Sequence, residues 1–231
     1  MENYYITHEK RILREVQMAI PHYKRFVVEA YGPDLSESIV KDTMERFTAL
    51  LPQTPYIGGD ENHLTENLYL TVAMLAFYQA LKAHHKPVDE VARIIYKGTA
   101  SMYSSLPFNV MLWVEGRRIF SRGVLDKLKQ RAAASQTRRY PGDWVYEYIP
   151  SDGKSFIFGV NYTECGILKY LTAQGAAELA PYLCWLDVPM CAAEHVGLMR
   201  TETLAGGDVR CDFRFCRWGE QPEMKPDFMS D

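Results

Sequence analysis

The sequence predicts an α+β fold: an all-helical N-terminal half, residues 1–139, packed on a small antiparallel-sheet-plus-helices C-terminal half, residues 140–231. Three observations lead there. Apolar residues recur at helical spacing from the N-terminus to about Ala134. After Arg139 the period drops to two, the spacing of strands. All five cysteines fall between Cys165 and Cys216, among Asp187, Arg200, Asp212 and Arg214. Thiols, carboxylates and guanidiniums beside a small apolar domain are costly unless each has a partner or a task.

Residues 7–31 read as one amphipathic helix with Ile12, Val16, Ile20, Tyr23 and Val27 on a face, kinked or split at Pro21. Gly32-Pro33 ends it, and Asp34 or Ser36 caps a second helix that runs to about Leu51. Residues 56–62 form a glycine-rich loop. A third helix starts near Thr65 and is apolar nearly all round from Leu68 to Leu81, which places it at the centre of a core. A fourth spans Val88 to Ser104, and a fifth runs from about Asn109 to Ala134.

Beyond Arg139, Trp144, Tyr146 and Tyr148 alternate with Val145, Glu147 and Ile149. A turn at Pro150-Ser151-Asp152-Gly153 leads to a second alternating run through Phe156, Phe158, Val160 and Tyr162, so a hairpin is expected. Leu168–Ala173 and Ala176–Leu186 read as helices. Residues 198–216 read as a second hairpin with Gly206-Gly207 at its tip. A three-residue loop sets Arg200 opposite Arg214 and Glu202 opposite Asp212, with Cys211, Phe213 and Phe215 on the other face.

Hydrophobic content of 47% and charged content of 24% are those of an ordinary globular protein. A formal charge of −3 argues against nucleic acid as a partner. The one basic cluster, Arg131 to Arg139, reads as a solvated helix end. The tract Leu68–Leu81 is well short of the ~20 residues that span a bilayer, so no membrane partner is expected. The opening residues lack the pattern of a signal peptide, and the odd number of cysteines does not suit a secreted framework. A reducing cytoplasm with free thiols is expected. The helical half can offer a face for a homodimer.

Cys165 stands where a strand gives way to a helix, a place that lowers a thiol's pKa and favours thiolate. Cys184 and Asp187, three apart on an expected helix, share a face. Cys211, in line with Phe213 and Phe215, reads as a small buried hydrophobe or as a site thiol. Arg200, Asp212 and Arg214 read as a surface ion-pair ladder or as an anion clamp beside a carboxylate. No C-x-x-C occurs, and a zinc site from Cys165, Cys184 and Cys211 would draw ligands from three elements. No metal and no cofactor is expected, and no nucleotide-binding glycine loop is present.

Three stretches resemble the L-2-amino-thiazoline-4-carboxylic acid hydrolase family. The first is Tyr56-Ile57-Gly58-Gly59 with Asn62, Leu64-Thr65-Glu66-Asn67-Leu68, and Ala76, Tyr78 and Leu81. The second is Cys165-Gly166 with Glu178-Leu179-Ala180-Pro181, Leu183-Cys184 and Asp187. The third runs from Arg200-Thr201 through Gly206-Gly207 to Cys211-Asp212-Phe213-Arg214-Phe215. The resemblance implies hydrolysis of a small cyclic isothiourea that carries a carboxylate. Water adds at C2, the C–S bond breaks and N-carbamoyl-cysteine forms. That chemistry needs a carboxylate anchor, for which Arg200 and Arg214 are candidates. It needs an acid group to grip the nitrogens or accept a proton, for which Asp187 and Asp212 are candidates. Cys165 or Cys211 could attack C2 directly. Cys184, Thr201 and Asn67 complete the candidate substrate-binding set. The other class of function is a module that binds a small molecule without turning it over.

Overall fold

In the computed structural model, residues 3–222 and 224–229 are described. The chain opens with a single turn, α1 (Tyr4–Thr7), and a long helix, α2 (Glu9–Tyr31). Pro21 does not split α2: it sits on the exposed side, where the carbonyl its missing N–H would have paired can meet water. Gly32, at φ +85°, turns the chain, and Pro33 at the first helical position starts α3 (Pro33–Leu50). The expected caps Asp34 and Ser36 therefore lie inside the helix. Ser36 is buried there, and its hydroxyl has no partner among the described residues.

The all-round apolar stretch forms α4 (Thr65–Ala83), buried against α3 along most of its length. Next comes α5 (Val88–Tyr103). The expected fifth helix is instead two, α6 (Phe108–Gly116) and α7 (Arg122–Ser135). The break has a steric accompaniment. A Cβ on Gly116 would lie 1.9 Å from the carbonyl oxygen of Glu194, so the helix end there admits only glycine.

The C-terminal half carries β1 (Val145–Pro150), β2 (Phe158–Glu164), β3 (Val196–Met199) and β4 (Cys211–Arg217), an antiparallel sheet in the order β1-β2-β4-β3. Between β2 and β3 the chain passes through α8 (Gly166–Ala173), α9 (Ala180–Leu183), a 3₁₀ turn at Cys184–Leu186 and α10 (Asp187–Glu194). The expected single helix over 176–186 is thus a run of short turns that continues to Glu194.

The first hairpin forms as expected, with Tyr148 opposite Val160. In the second pair the strands are antiparallel, but the register is one residue away from the expected one. Met199, not Arg200, lies opposite Arg214, and Leu198 lies opposite Phe215. Burial decides this: Val196 and Leu198 are both core side chains, and Leu198 must share the face of Phe215. No tight turn closes the pair. Residues 200–210 form a strap with a 3₁₀ turn at Leu204–Gly206, and Val209 within it is exposed.

One face of the sheet carries Tyr146, Tyr148, Phe158, Val160, Tyr162, Cys211, Phe213 and Phe215. Its rings interlock, Phe158 on Phe215 at 4.7 Å and Tyr162 edge-on to Phe213 at 5.4 Å. A single core joins Trp144, Tyr146, Phe158 and Tyr170 to Ile12, Phe47, Leu75 and Ile95 of the helical half.

Candidate functional site

The one-residue register has a chemical consequence. Carried one position past Met199, it sends Arg200 to the face of Leu198, Cys211 and Phe213, away from Asp212 and Arg214. The guanidinium is flanked by the rings of Phe213, at 5.1 Å, and Trp185, at 5.9 Å. Its Nη1 donates to Oδ2 of Asp187 at 2.8 Å. Asp187 opens α10, while Cys184 starts the preceding 3₁₀ turn. Residues three apart eclipse one another in such a turn, so thiol and carboxylate face the same way.

Arg200 is nearly sealed, with 4% of its side chain exposed, whereas Asp187 keeps 32%. Burial is nonetheless the largest influence on Asp187 and raises its pKa, with Arg200 pulling the other way. Tyr103, Tyr162, Cys165 and Cys184 behave alike: each keeps some accessible surface, and each is raised chiefly by burial. An outward-facing side chain would be surrounded by bulk water. These side chains keep some surface while protein surrounds most of each, so they form a half-buried polar cluster around Asp187. The charge of Asp187 reaches all four, and the three thiols Cys165, Cys184 and Cys211 lie within electrostatic reach of one another.

Cys165 is at the N-terminal edge of α8, as expected, but its pKa is not lowered. Burial pushes it up to about 11, outweighing the backbone N–H groups of Ile167 and Leu168 that favour thiolate. Burial takes Cys184 to about 12, although Arg200 pulls it down. It also raises Cys191, Cys211 and Cys216. Cys211 accepts a hydrogen bond from the Leu204 N–H at 3.2 Å, which ties the strap to the sheet. Cys191 packs in α10, and Cys216 lies under Gly197.

The remaining candidates lie elsewhere. Asp212 and Arg214 are on the opposite face of the sheet. Asp212 accepts from Thr201 N at 2.8 Å, Thr201 Oγ1 at 2.7 Å and Glu202 N at 2.6 Å. Burial works to raise its pKa, and those hydrogen bonds outweigh it, so the net shift is downward. Asp212 and Thr201 thus anchor the strap. Arg214 donates to Asn161 Oδ1 at 2.9 Å and to the Phe213 carbonyl at 2.8 Å. No ion-pair ladder forms among Arg200, Asp212 and Arg214. Asn67 is exposed in the first turn of α4, and its side chain makes no hydrogen bond among the described residues. Among those residues no three His, Cys, Asp or Glu side chains converge as metal ligands, so the three thiols do not form a zinc set.

The family model for L-2-amino-thiazoline-4-carboxylic acid hydrolase matches residues 66–215, well over half of the chain. The chain belongs to that family. No curated protein matches it at a significant level. The hydrolase family match starts at Glu66, after the Tyr56–Asn62 loop, and ends at Phe215. It takes in Cys165, Cys184, Asp187, Arg200 and Cys211 together, and membership brings a hydrolase function of the family's kind.

Several groups near the Arg200–Asp187 pair carried no signal in the sequence. Tyr103 closes α5 far from any cysteine in the chain. Trp185 lies between two singled-out residues. Glu194, raised to about 7 by burial and by the charges of Glu115 and Asp187, ends α10. The helical period of α10 could have found Glu194, because Asp187 and Glu194 stand seven apart and so share a face.

Proposed function

We propose that this member of the family opens a small cyclic amidine or isothiourea bearing a carboxylate, L-2-amino-thiazoline-4-carboxylate being the type substrate. The observation that carries the reading is the Arg200–Asp187 pair, a sealed cation holding a half-exposed carboxylate among the thiols. The guanidinium, closed in by Trp185 and Phe213, holds Asp187 in place, and its charge favours a substrate carboxylate nearby without touching it. Asp187 keeps about a third of its side-chain surface, so its carboxylate can accept from an amidinium nitrogen or from water.

Water attacks C2 with Asp187 as the proton acceptor, and a raised carboxylate pKa suits that role at neutral pH. One water proton passes through Asp187 to the ring nitrogen. The C2–S bond then breaks, its electron pair leaving with sulfur. The second water proton, released as the carbonyl forms, ends on that sulfur. Atoms and charge balance with the gain of one water.

Direct attack by a thiol is the less favoured route. With Cys165 near 11 and Cys184 near 12, on the order of one molecule in 10⁴ or fewer carries thiolate at neutral pH. The thiols instead give the ring sulfur a polarisable wall.

The test is incubation with the thiazoline and a panel of related cyclic amidines, followed by mass spectrometry. A product heavier by one water is expected. A folded protein that turns over none of the panel would overturn the reading in favour of a module that binds without catalysis.

A further inference from the structure

The basic stretch at the end of α7 does not simply face solvent. It folds against the loop carrying Asn62 and His63, and the two enclose a cleft of about 300 Å³. Arg131, Arg138 and Arg139 line it with His63, Asn62, Tyr140 and Tyr146. Facing them are two carboxylates, Glu61 and Asp143. Asp143 already accepts from Asn62 Nδ2 at 2.8 Å and from Trp144 N at 2.7 Å. Arg138 is tied to Glu164 at 2.8 Å. Arg131 and Arg139 have no carboxylate within 4.0 Å among the described residues, and Arg139 stacks over Tyr140. The His63 ring makes no hydrogen bond there either.

We propose that this cleft is a second binding site, one that takes a phosphate or phosphomonoester group between Arg131, Arg139 and His63. Two guanidiniums without carboxylate partners offset a dianion, and their planar forks match its oxygens. His63 fits the same picture. Burial and the Arg131 charge push its pKa down to about 4, so it stands neutral beside cations until an anion arrives. A bound dianion opposes the Arg131 charge, the lesser of the two causes, and so moves the imidazole's pKa upward, while the ring N–H gives a third donor. The cleft lining includes neither Asp187 nor Arg200 nor any of the thiols; its Tyr146 packs at 5.2 Å on Tyr162, which the Asp187 charge reaches.

The test titrates inorganic phosphate into the full chain, read by calorimetry and by NMR of the His63 imidazole. Sodium chloride at equal ionic strength and sodium acetate serve as parallel arms. Saturable phosphate binding is expected, weakened roughly tenfold or more in both Arg131→Met and Arg139→Met. The His63 midpoint should move upward when phosphate is bound. Both arginines are exposed, so the variants should keep the wild-type circular dichroism, which is checked first. Equal binding by wild type and variants, or an unmoved His63 midpoint, would overturn the site. Acetate binding as tight as phosphate would overturn the dianion assignment, and an equal response to chloride would reduce the effect to ionic strength.

Discussion

Arg200 donates to Asp187 at 2.8 Å, and the two partners differ sharply in their access to water. The guanidinium is sealed between Trp185 and Phe213, while the carboxylate keeps about a third of its surface. A fixed cation thus holds an acid that remains reachable.

Removing Asp187 alone strands the guanidinium. Breaking a buried pair by deleting one partner costs about 3–5 kcal/mol, and Asp187→Ala should fall at the lower end because water can enter in its place. The double variant Asp187→Ala/Arg200→Met should regain most of that loss, since it leaves no unpaired charge. Urea unfolding of the four proteins measures the cycle.

Glu194 gives stability a pH dependence of definite sign. Its folded pKa, about 7, lies above the ordinary 4.5, so the fold prefers its protonated form. The stabilisation is complete below about pH 4.5 and is lost as pH rises through about 7, a change on the order of 2–3 kcal/mol. Glu194→Gln should remove this loss and raise the melting temperature at pH 8 more than at pH 5. Thermal unfolding at both values checks it.

The thiols should be sluggish. With burial raising all five, none should react with iodoacetamide at pH 7.5 faster than free glutathione does. Peptide mapping after timed alkylation reads each rate separately. A single fast cysteine would restore the covalent route.

Asp212 should matter for the strap more than for the chemistry. Asp212→Ala removes three acceptor contacts from Thr201 and Glu202, which should cost about 1–3 kcal/mol. Hydrogen exchange at the strap amides of Thr201 and Glu202 should rise more than at the amides of β4.

Much of this was legible in the chain. The helical and alternating periods located α4, α5 and the first hairpin, because each buries one well-defined face. The cluster of thiols, acids and arginines pointed to the second half. The register of β3 on β4 was not legible. It turns on Leu198 outbidding its neighbours for the core, and residues 200–210 look like a hairpin tip while forming an eleven-residue strap. That one-residue difference moved Arg200 from Asp212 to Asp187. The rise in the Cys165 pKa was hidden as well, because desolvation depends on neighbours distant in sequence, whereas the helix N-terminus is local.

The most direct measurement compares turnover of the thiazoline by the wild type and by Asp187→Asn, which keeps the shape of the side chain and removes its basicity. A kcat reduced by about 10²–10⁴, with substrate still bound and the protein still folded, is the expected result. Turnover at the wild-type rate in Asp187→Asn would contradict the assignment of Asp187 as the proton acceptor.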